Sequence, residues 1–232
     1  MLQLDRLTLA HGAFRLTADW QAPAGARISL MGPSGAGKST LLSAIAGFLT
    51  PAAGAIRWNG VDLGTTPPGE RPLTILFQDQ NLFPHLTIAQ NLGLGLRPDL
   101  RLTPSDHARI EQALSRAALS GFGPRRPAQL SGGQASRVAL SRALLRARPI
   151  LLLDEPFAAL GPALRAEMLA FVREVADDTG ALVLMVTHDP ADALALGGQT
   201  AFVADGIVHP PRDTAQLLAD PPQALGDYLG HK

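Results

Sequence analysis

Ten residues, Met31-Gly32-Pro33-Ser34-Gly35-Ala36-Gly37-Lys38-Ser39-Thr40, restrict the folds open to this chain more than any other stretch. They fit the phosphate-binding loop pattern G-x-x-x-x-G-K-[ST]. Ahead of them Arg27-Ile28-Ser29-Leu30-Met31 reads as a short buried strand, and behind them Leu41, Leu42, Ile45, Ala46 and Leu49 recur at helical spacing. That strand, loop and helix order is the context the pattern requires. Glycines let the backbone curl around an anion, with successive N–H groups and the positive end of a helix pointing inward. Lys38 then reaches the outer phosphates, and the Ser39 hydroxyl is placed to hold a magnesium ion. A glycine-rich turn before an ordinary helix would not explain the lysine: Lys38 is one of two in the chain, the other being Lys232.

The chain of 232 residues is long enough for one α/β domain with a subdomain. Its formal net charge is zero, so nothing recommends a nucleic-acid partner. There are no cysteines, which excludes disulfides and thiolate metal sites and suits a reducing compartment. The N-terminus alternates apolar and polar residues like a strand and is not a signal peptide. The apolar runs at 150–153 and 181–186 fall far short of the roughly 20 residues that cross a bilayer. Membrane association is therefore expected to come through a partner.

Residues 2–9 and 13–20 are expected to form a hairpin turning near His11-Gly12, followed by strand 27–31, the phosphate loop and a helix over 38–49. Asn59-Gly60 is a hairpin turn signal, so an antiparallel patch flanks the nucleotide strand. Residues 73–77 make the next strand. From 84 the alternation stops, and Thr103-Pro104-Ser105-Asp106 opens a helix with a cap, a proline at its first position and an early acid. This predicts a helical insertion over 84–146 within a core of 1–83 and 147–232. Strands 150–153 and 181–186 then alternate with helices 162–177 and 190–196, as in a parallel βαβ arrangement. Asp205-Gly206 makes a last hairpin, with a short tail after it.

Ile150-Leu151-Leu152-Leu153-Asp154-Glu155-Pro156 is an apolar strand ending in two carboxylates. Such a strand belongs in the middle of a parallel sheet, and ligands gather at the carboxyl ends of such strands. Asp154 is then placed to hold Mg²⁺, and Glu155 to orient or deprotonate a water attacking the γ-phosphate. Leu130-Ser131-Gly132-Gly133-Gln134 precedes a helical run at 137–146. Ser131 is a good N-cap, and the two glycines open the backbone N–H groups.

A phosphate loop, then L-S-G-G-Q, then four apolar residues with Asp-Glu, in that order, resembles the nucleotide-binding subunit of ATP-binding-cassette (ABC) transporters over nearly the whole chain. The resemblance implies an α/β phosphate-loop NTPase with a mostly parallel core sheet, an antiparallel β subdomain and a helical insertion. It implies an ATPase in which two copies face head to tail, so that Ser131, Gly132, Gly133 and Gln134 of one copy reach the ATP held by the other. Gln78, after strand 73–77, is implied to contact Mg²⁺ and the attacking water and to sense the membrane partner. His188, after an apolar strand, is implied to bond the γ-phosphate and orient Glu155. The partners implied are a second copy, an integral membrane permease and, through the complex, a periplasmic solute-binding protein. The implied location is peripheral, on the cytoplasmic face of the bacterial inner membrane.

Two departures stand out. The family's aromatic residue that stacks on adenine has two candidates here, His11 and Phe14. The family's S/A-L-D segment after the two acids reads Ala159-Leu160-Gly161, so its carboxylate is missing. Within the family, Thr65-Thr66-Pro67-Pro68, the run at 76–83 and Gln90-Asn91-Leu92-Gly93-Leu94-Gly95-Leu96 look like the ATPase of bacterial thiamine importers, as does the stop soon after the last hairpin. Iron, polyamine or sulfate import are the alternatives within the class. A soluble cassette ATPase acting on nucleic acid or ribosomes would bring two cassettes, a heptad run or basic arms, none of which is present. A small-molecule kinase would not need L-S-G-G-Q.

Overall fold

Leu2, Leu4, Leu7 and Leu9 alternate with exposed or half-buried neighbours, and the strand they form, β1 (Leu2–His11), pairs antiparallel with β2 (Phe14–Ala22) as the expected hairpin. The computed structural model describes residues 1–77, 82–158 and 160–230. Next come β3 (Arg27–Met31) and α1 (Lys38–Ala46). This helix ends three residues before the expected limit of 49. Gly47 turns into the left-handed region at φ 92° and donates its N–H to the Ala44 carbonyl. The Asn59-Gly60 turn, with φ 49° and 82°, joins β4 (Ala53–Trp58) to β5 (Val61–Asp62). Then β6 (Leu73–Leu76) enters the sheet.

The stretch expected to be helical holds α2 (Ile88–Leu96), α3 (Pro104–Arg116), a short 3₁₀ turn (Pro127–Gln129) and α4 (Gly132–Leu145). Thr87, Thr103 and Ser131 cap the three α-helices reciprocally with Gln90, Asp106 and Gln134. The sequence placed the last of these helical runs at 137–146. The helix begins at Gly132, because the Ser131 cap satisfies the Gln134 N–H and winds both glycines into the first turn. These helices surround an apolar cluster of their own, including Ile88, Leu92, Ile110, Leu114 and Val138.

The chain returns through β7 (Ile150–Asp154), α5 (Pro162–Thr179), β8 (Leu182–Val186), α6 (Pro190–Leu196), β9 (Gln199–Ala204), β10 (Ile207–Val208) and β11 (Arg212–Asp213). The expected short tail contains two further helices, α7 (Thr214–Ala219) and α8 (Gln223–Leu229).

The main path of the sheet runs β5-β4-β1-β2-β10-β9-β3-β8-β7-β6. From β9 to β6 every neighbouring pair is parallel. The β1, β2, β4 and β5 end is antiparallel. Strands β7 and β8 are buried on both faces, as their unbroken apolar composition demands. Ile150, Leu152, Leu182, Leu184 and Val186 face one core cluster, with α1. Leu151, Leu153, Val183 and Met185 face the other, with α5. The parallel run brings Met31, Asp154 and Val186, the last residues of β3, β7 and β8, to one edge of the sheet.

Candidate nucleotide site

The phosphate loop leaves β3 at that edge and closes on its own backbone. Lys38 is buried, and its Nζ donates to the carbonyls of Gly32 and Pro33 at 2.7 and 2.8 Å. Burial lowers the ammonium's pKa, while the charges of Glu155 and Asp154 work the other way. Asp154, at the end of β7, and Glu155 just after it lie within electrostatic reach of the loop. Gly37 must be glycine twice over. Its φ is 101°, and a Cβ there would stand 2.7 Å from Cζ of Phe14. Phe14 thus supports the loop from the first hairpin, while His11 at the hairpin end is exposed.

The Ser39 hydroxyl donates to Oδ1 of Asp154 at 2.9 Å. Burial raises the Asp154 carboxyl's pKa and the Ser39 bond opposes that rise. A half-buried carboxylate partnered by a neutral hydroxyl gains from a cation. The donor set, one hydroxyl and one carboxylate beside a phosphate loop, fits magnesium, which takes one or two protein oxygens and completes its shell with phosphate and water. Among the described residues no cluster of three His, Asp or Glu side chains forms a site for a metal held by protein alone.

Glu155 breaks the strand. Its φ of 44° is left-handed, uncommon for a residue with a side chain, and its N–H donates to the Val186 carbonyl across to β8. Its Oε2 stands 3.7 Å from Nδ1 of His188. The structure thus brings together Lys38, Ser39, Asp154, Glu155 and His188. Gln78 lies outside the described residues. Ser131, Gly132, Gly133 and Gln134 start α4 in the helical part, and among the described residues no hydrogen bond or ion pair joins them to the phosphate loop or the two acids. Gly133 meets α5 instead, where Leu164 packs so closely that a Cβ on the glycine would lie 2.1 Å from its Cδ2.

No sequence motif singled out Arg165, yet it ties two segments of the site. Its guanidinium reaches Oδ2 of Asp189 at 2.9 Å and the carbonyls of Ala158 and Leu160 at 3.3 and 3.4 Å. Thr187 donates to Asp192 at 2.8 Å, fixing the residue before His188. An arginine in the first turn of a helix carries no local sign of such a role, since its partners come from two separate loops.

The ABC transporter family pattern matches residues 17–158. The chain belongs to the ABC transporter family. Among its relatives, the "Thiamine import ATP-binding protein ThiQ" of Cereibacter sphaeroides is 64% identical over 99% of this chain and 100% of that protein. A protein of the same name from Ruegeria sp. is 51% identical, again over 99% and 100%. The ATP-binding cassette MJ0796, solved as a dimer in a post-hydrolysis state bound to ADP and Pi, superposes with a TM-score of 0.79 at 29% identity, covering 92% of this chain and 99% of that one. The phosphate-loop NTPase fold expected from the sequence is the fold of this ABC-family chain.

Proposed function

We propose that this chain is the ATP-hydrolysing subunit of a thiamine import complex. The observation that carries the substrate is the full-length 64% identity to a protein named for thiamine import. The chemistry rests on the constellation at the edge of the sheet. Residues 32–40 cradle the phosphates of ATP, and Lys38 exchanges two backbone carbonyls for phosphate oxygens. Ser39, Asp154 and Gln78 hold Mg²⁺, which neutralises charge on the outer phosphates when bound. Glu155 orients or deprotonates the attacking water, and His188, beside it, bonds the γ-phosphate. The protein's contribution is positioning and charge stabilisation more than covalent chemistry.

Ser131, Gly132, Gly133 and Gln134 act on the ATP of a second copy, so nucleotide joins two chains head to tail. Within one chain, among the described residues, no hydrogen bond or ion pair joins them to the loop, which supports this reading. The helical part, 84–146, with its own apolar cluster, moves against the core of 1–83 and 147–232 and passes that motion to a membrane permease. No helix among the described residues is long and apolar enough to cross a membrane, and the path for solute is assigned to that permease. A periplasmic solute-binding protein completes the complex, with this chain peripheral on the cytoplasmic face of the inner membrane.

The test is reconstitution with permease and binding protein. Thiamine or its phosphate esters are expected to stimulate ATP hydrolysis in the complex, with no thiamine binding to the isolated chain by calorimetry. Stimulation by iron, a polyamine or sulfate instead would retain the class and discard the substrate.

A further inference from the structure

The two helices of the tail bring a tyrosine to the nucleotide site. Leu217 of α7 and Leu225 of α8 are buried with Phe202 and Ala204 of β9 in one cluster. Phe202 is the register partner of Met31, the residue before the phosphate loop. The Tyr228 ring lies against Phe202 at 6.1 Å between centroids, tilted 47°, and the His209 ring stacks on Phe202 at 6.3 Å. From this platform the Tyr228 hydroxyl donates to the backbone carbonyl of His188 at 3.2 Å.

The residues flanking His188 are held from other directions. The Thr187 N–H donates to Leu30 and its hydroxyl to Asp192, while Asp189 takes Arg165 and caps α6 through the Ala191 N–H. The peptide after His188 is held at both ends: the Asp189 N–H donates to the Thr187 hydroxyl at 3.1 Å, and the carbonyl of His188 takes the Tyr228 hydroxyl. Burial, and after it the carboxylates of Glu155 and Asp189, keep the phenol's pKa above the ordinary tyrosine value, so the hydroxyl remains a donor.

We infer that Tyr228 is a positioning residue for ATP hydrolysis: through the His188 carbonyl it fixes the imidazole against Glu155, making α8 part of the catalytic assembly. This rests on the roles proposed above for His188 and Glu155. The phosphate loop makes most of the contacts to ATP and His188 meets only the γ-phosphate, so the effect falls mainly on turnover. A neutral hydrogen bond of this kind is worth about a fivefold change in rate.

The experiment measures steady-state ATPase of the full chain with Mg·ATP for the parent, Tyr228→Phe, His188→Ala and the double variant. Phenylalanine keeps the ring on Phe202 and removes only the hydroxyl. Tyr228→Phe is expected to lower kcat about fivefold with KM for ATP unchanged, and to have no further effect when His188 is already alanine. Parent-like kcat in Tyr228→Phe, a change in KM alone, or a full fivefold loss added to His188→Ala would each overturn the inference. Parent-like kcat in His188→Ala would overturn the role of His188 itself, and the role of Tyr228 with it.

Discussion

The Ser39 hydroxyl and the Asp154 carboxylate are hydrogen-bonded across 2.9 Å, joining the start of α1 to the end of β7. The strands that lead to them, β3 and β7, are not neighbours. Between β3 and β7 lies β8, so the pair bridges a full strand of the sheet at its carboxyl edge. Magnesium is expected to bind at this bridge, and the residues around it give the predictions that follow.

Lys38→Ala is expected to abolish ATP hydrolysis and, because the ammonium is buried on two carbonyls, also to loosen the loop. Leaving the buried Gly32 carbonyl without its donor costs about 1–3 kcal/mol, whereas the carbonyl of exposed Pro33 can turn to water; each kcal/mol is roughly 2–4 °C in Tm for a chain of this size. Calorimetric melting without nucleotide reads the second effect. Hydrolysis at the parent rate would remove the phosphate-loop assignment.

Glu155→Gln is expected to bind Mg·ATP and to turn over about 10²–10⁴-fold more slowly. Size-exclusion chromatography with ATP should show a dimer accumulating that the parent does not retain. Glutamine keeps the length and the left-handed backbone, so folding is unaffected. Full activity would reduce Asp154-Glu155 to the end of a strand.

The two glycines after Ser131 are expected to behave differently. A Cβ at Gly132 meets nothing within 4 Å, whereas one at Gly133 enters Leu164. Gly132→Ala should leave Tm unchanged, and Gly133→Ala should cost about 1–3 kcal/mol by overpacking. Adding Leu164→Ala to the second variant should recover most of the loss. Equal melting of the two single variants would show that α4 and α5 do not meet as described.

Gly161→Asp restores the carboxylate that relatives are expected to carry. Gly161 caps α5 at φ −66° and ψ 159°, extended backbone that any residue adopts, with no side-chain bond and open space around it. The cap gains only a few tenths of a kcal/mol, so Tm should barely move. A rise in the Hill coefficient for ATP or in maximal turnover is expected, as the carboxylate reaches towards the second copy. Unchanged kinetics would make the position a cap and nothing more.

Asp106 supplies a pH dependence. The Thr103 N–H first, then the Arg97 guanidinium and the Thr103 hydroxyl, hold its carboxyl well below the usual carboxylate range. A depressed folded pKa stabilises the fold above the unfolded value of about 3.9 and loses that contribution as pH falls towards the folded value. The gap in urea midpoint between the parent and Asp106→Asn should therefore be full at neutral pH and narrow progressively below about pH 4. A gap independent of pH would assign the effect to shape rather than charge.

The sequence carried the parts of the site whose signals are local. The loop from Gly32 to Lys38, the carboxylates after Leu153 and the Ser131 cap each sit inside a few residues with a fixed pattern, and β7 and β8 are apolar throughout. The Thr87 and Gln90 capping box was equally local and would have located α2. The tail was opaque for a different reason. Helices α7 and α8 are six and seven residues long, too short to show a helical period, and their apolar side chains make sense only against Phe202. Arg165 and Tyr228 act on carbonyls and carboxylates from distant segments, which leave no trace in spacing.

The reciprocal cap at Ser131 has a consequence for the polarity of that surface. A hydroxyl and a side-chain amide each offer both donor and acceptor groups. Here the Ser131 oxygen takes the Gln134 N–H at 3.3 Å, and the Gln134 oxygen takes the Ser131 N–H at 3.0 Å. Each oxygen spends one lone pair on the helix, and the cap uses neither the O–H nor the NH₂ protons. The start of α4 is thereby tilted towards donating hydrogen bonds. An approaching row of anionic oxygens finds matching hydrogens there, and an approaching ammonium finds oxygens with one lone pair each already engaged.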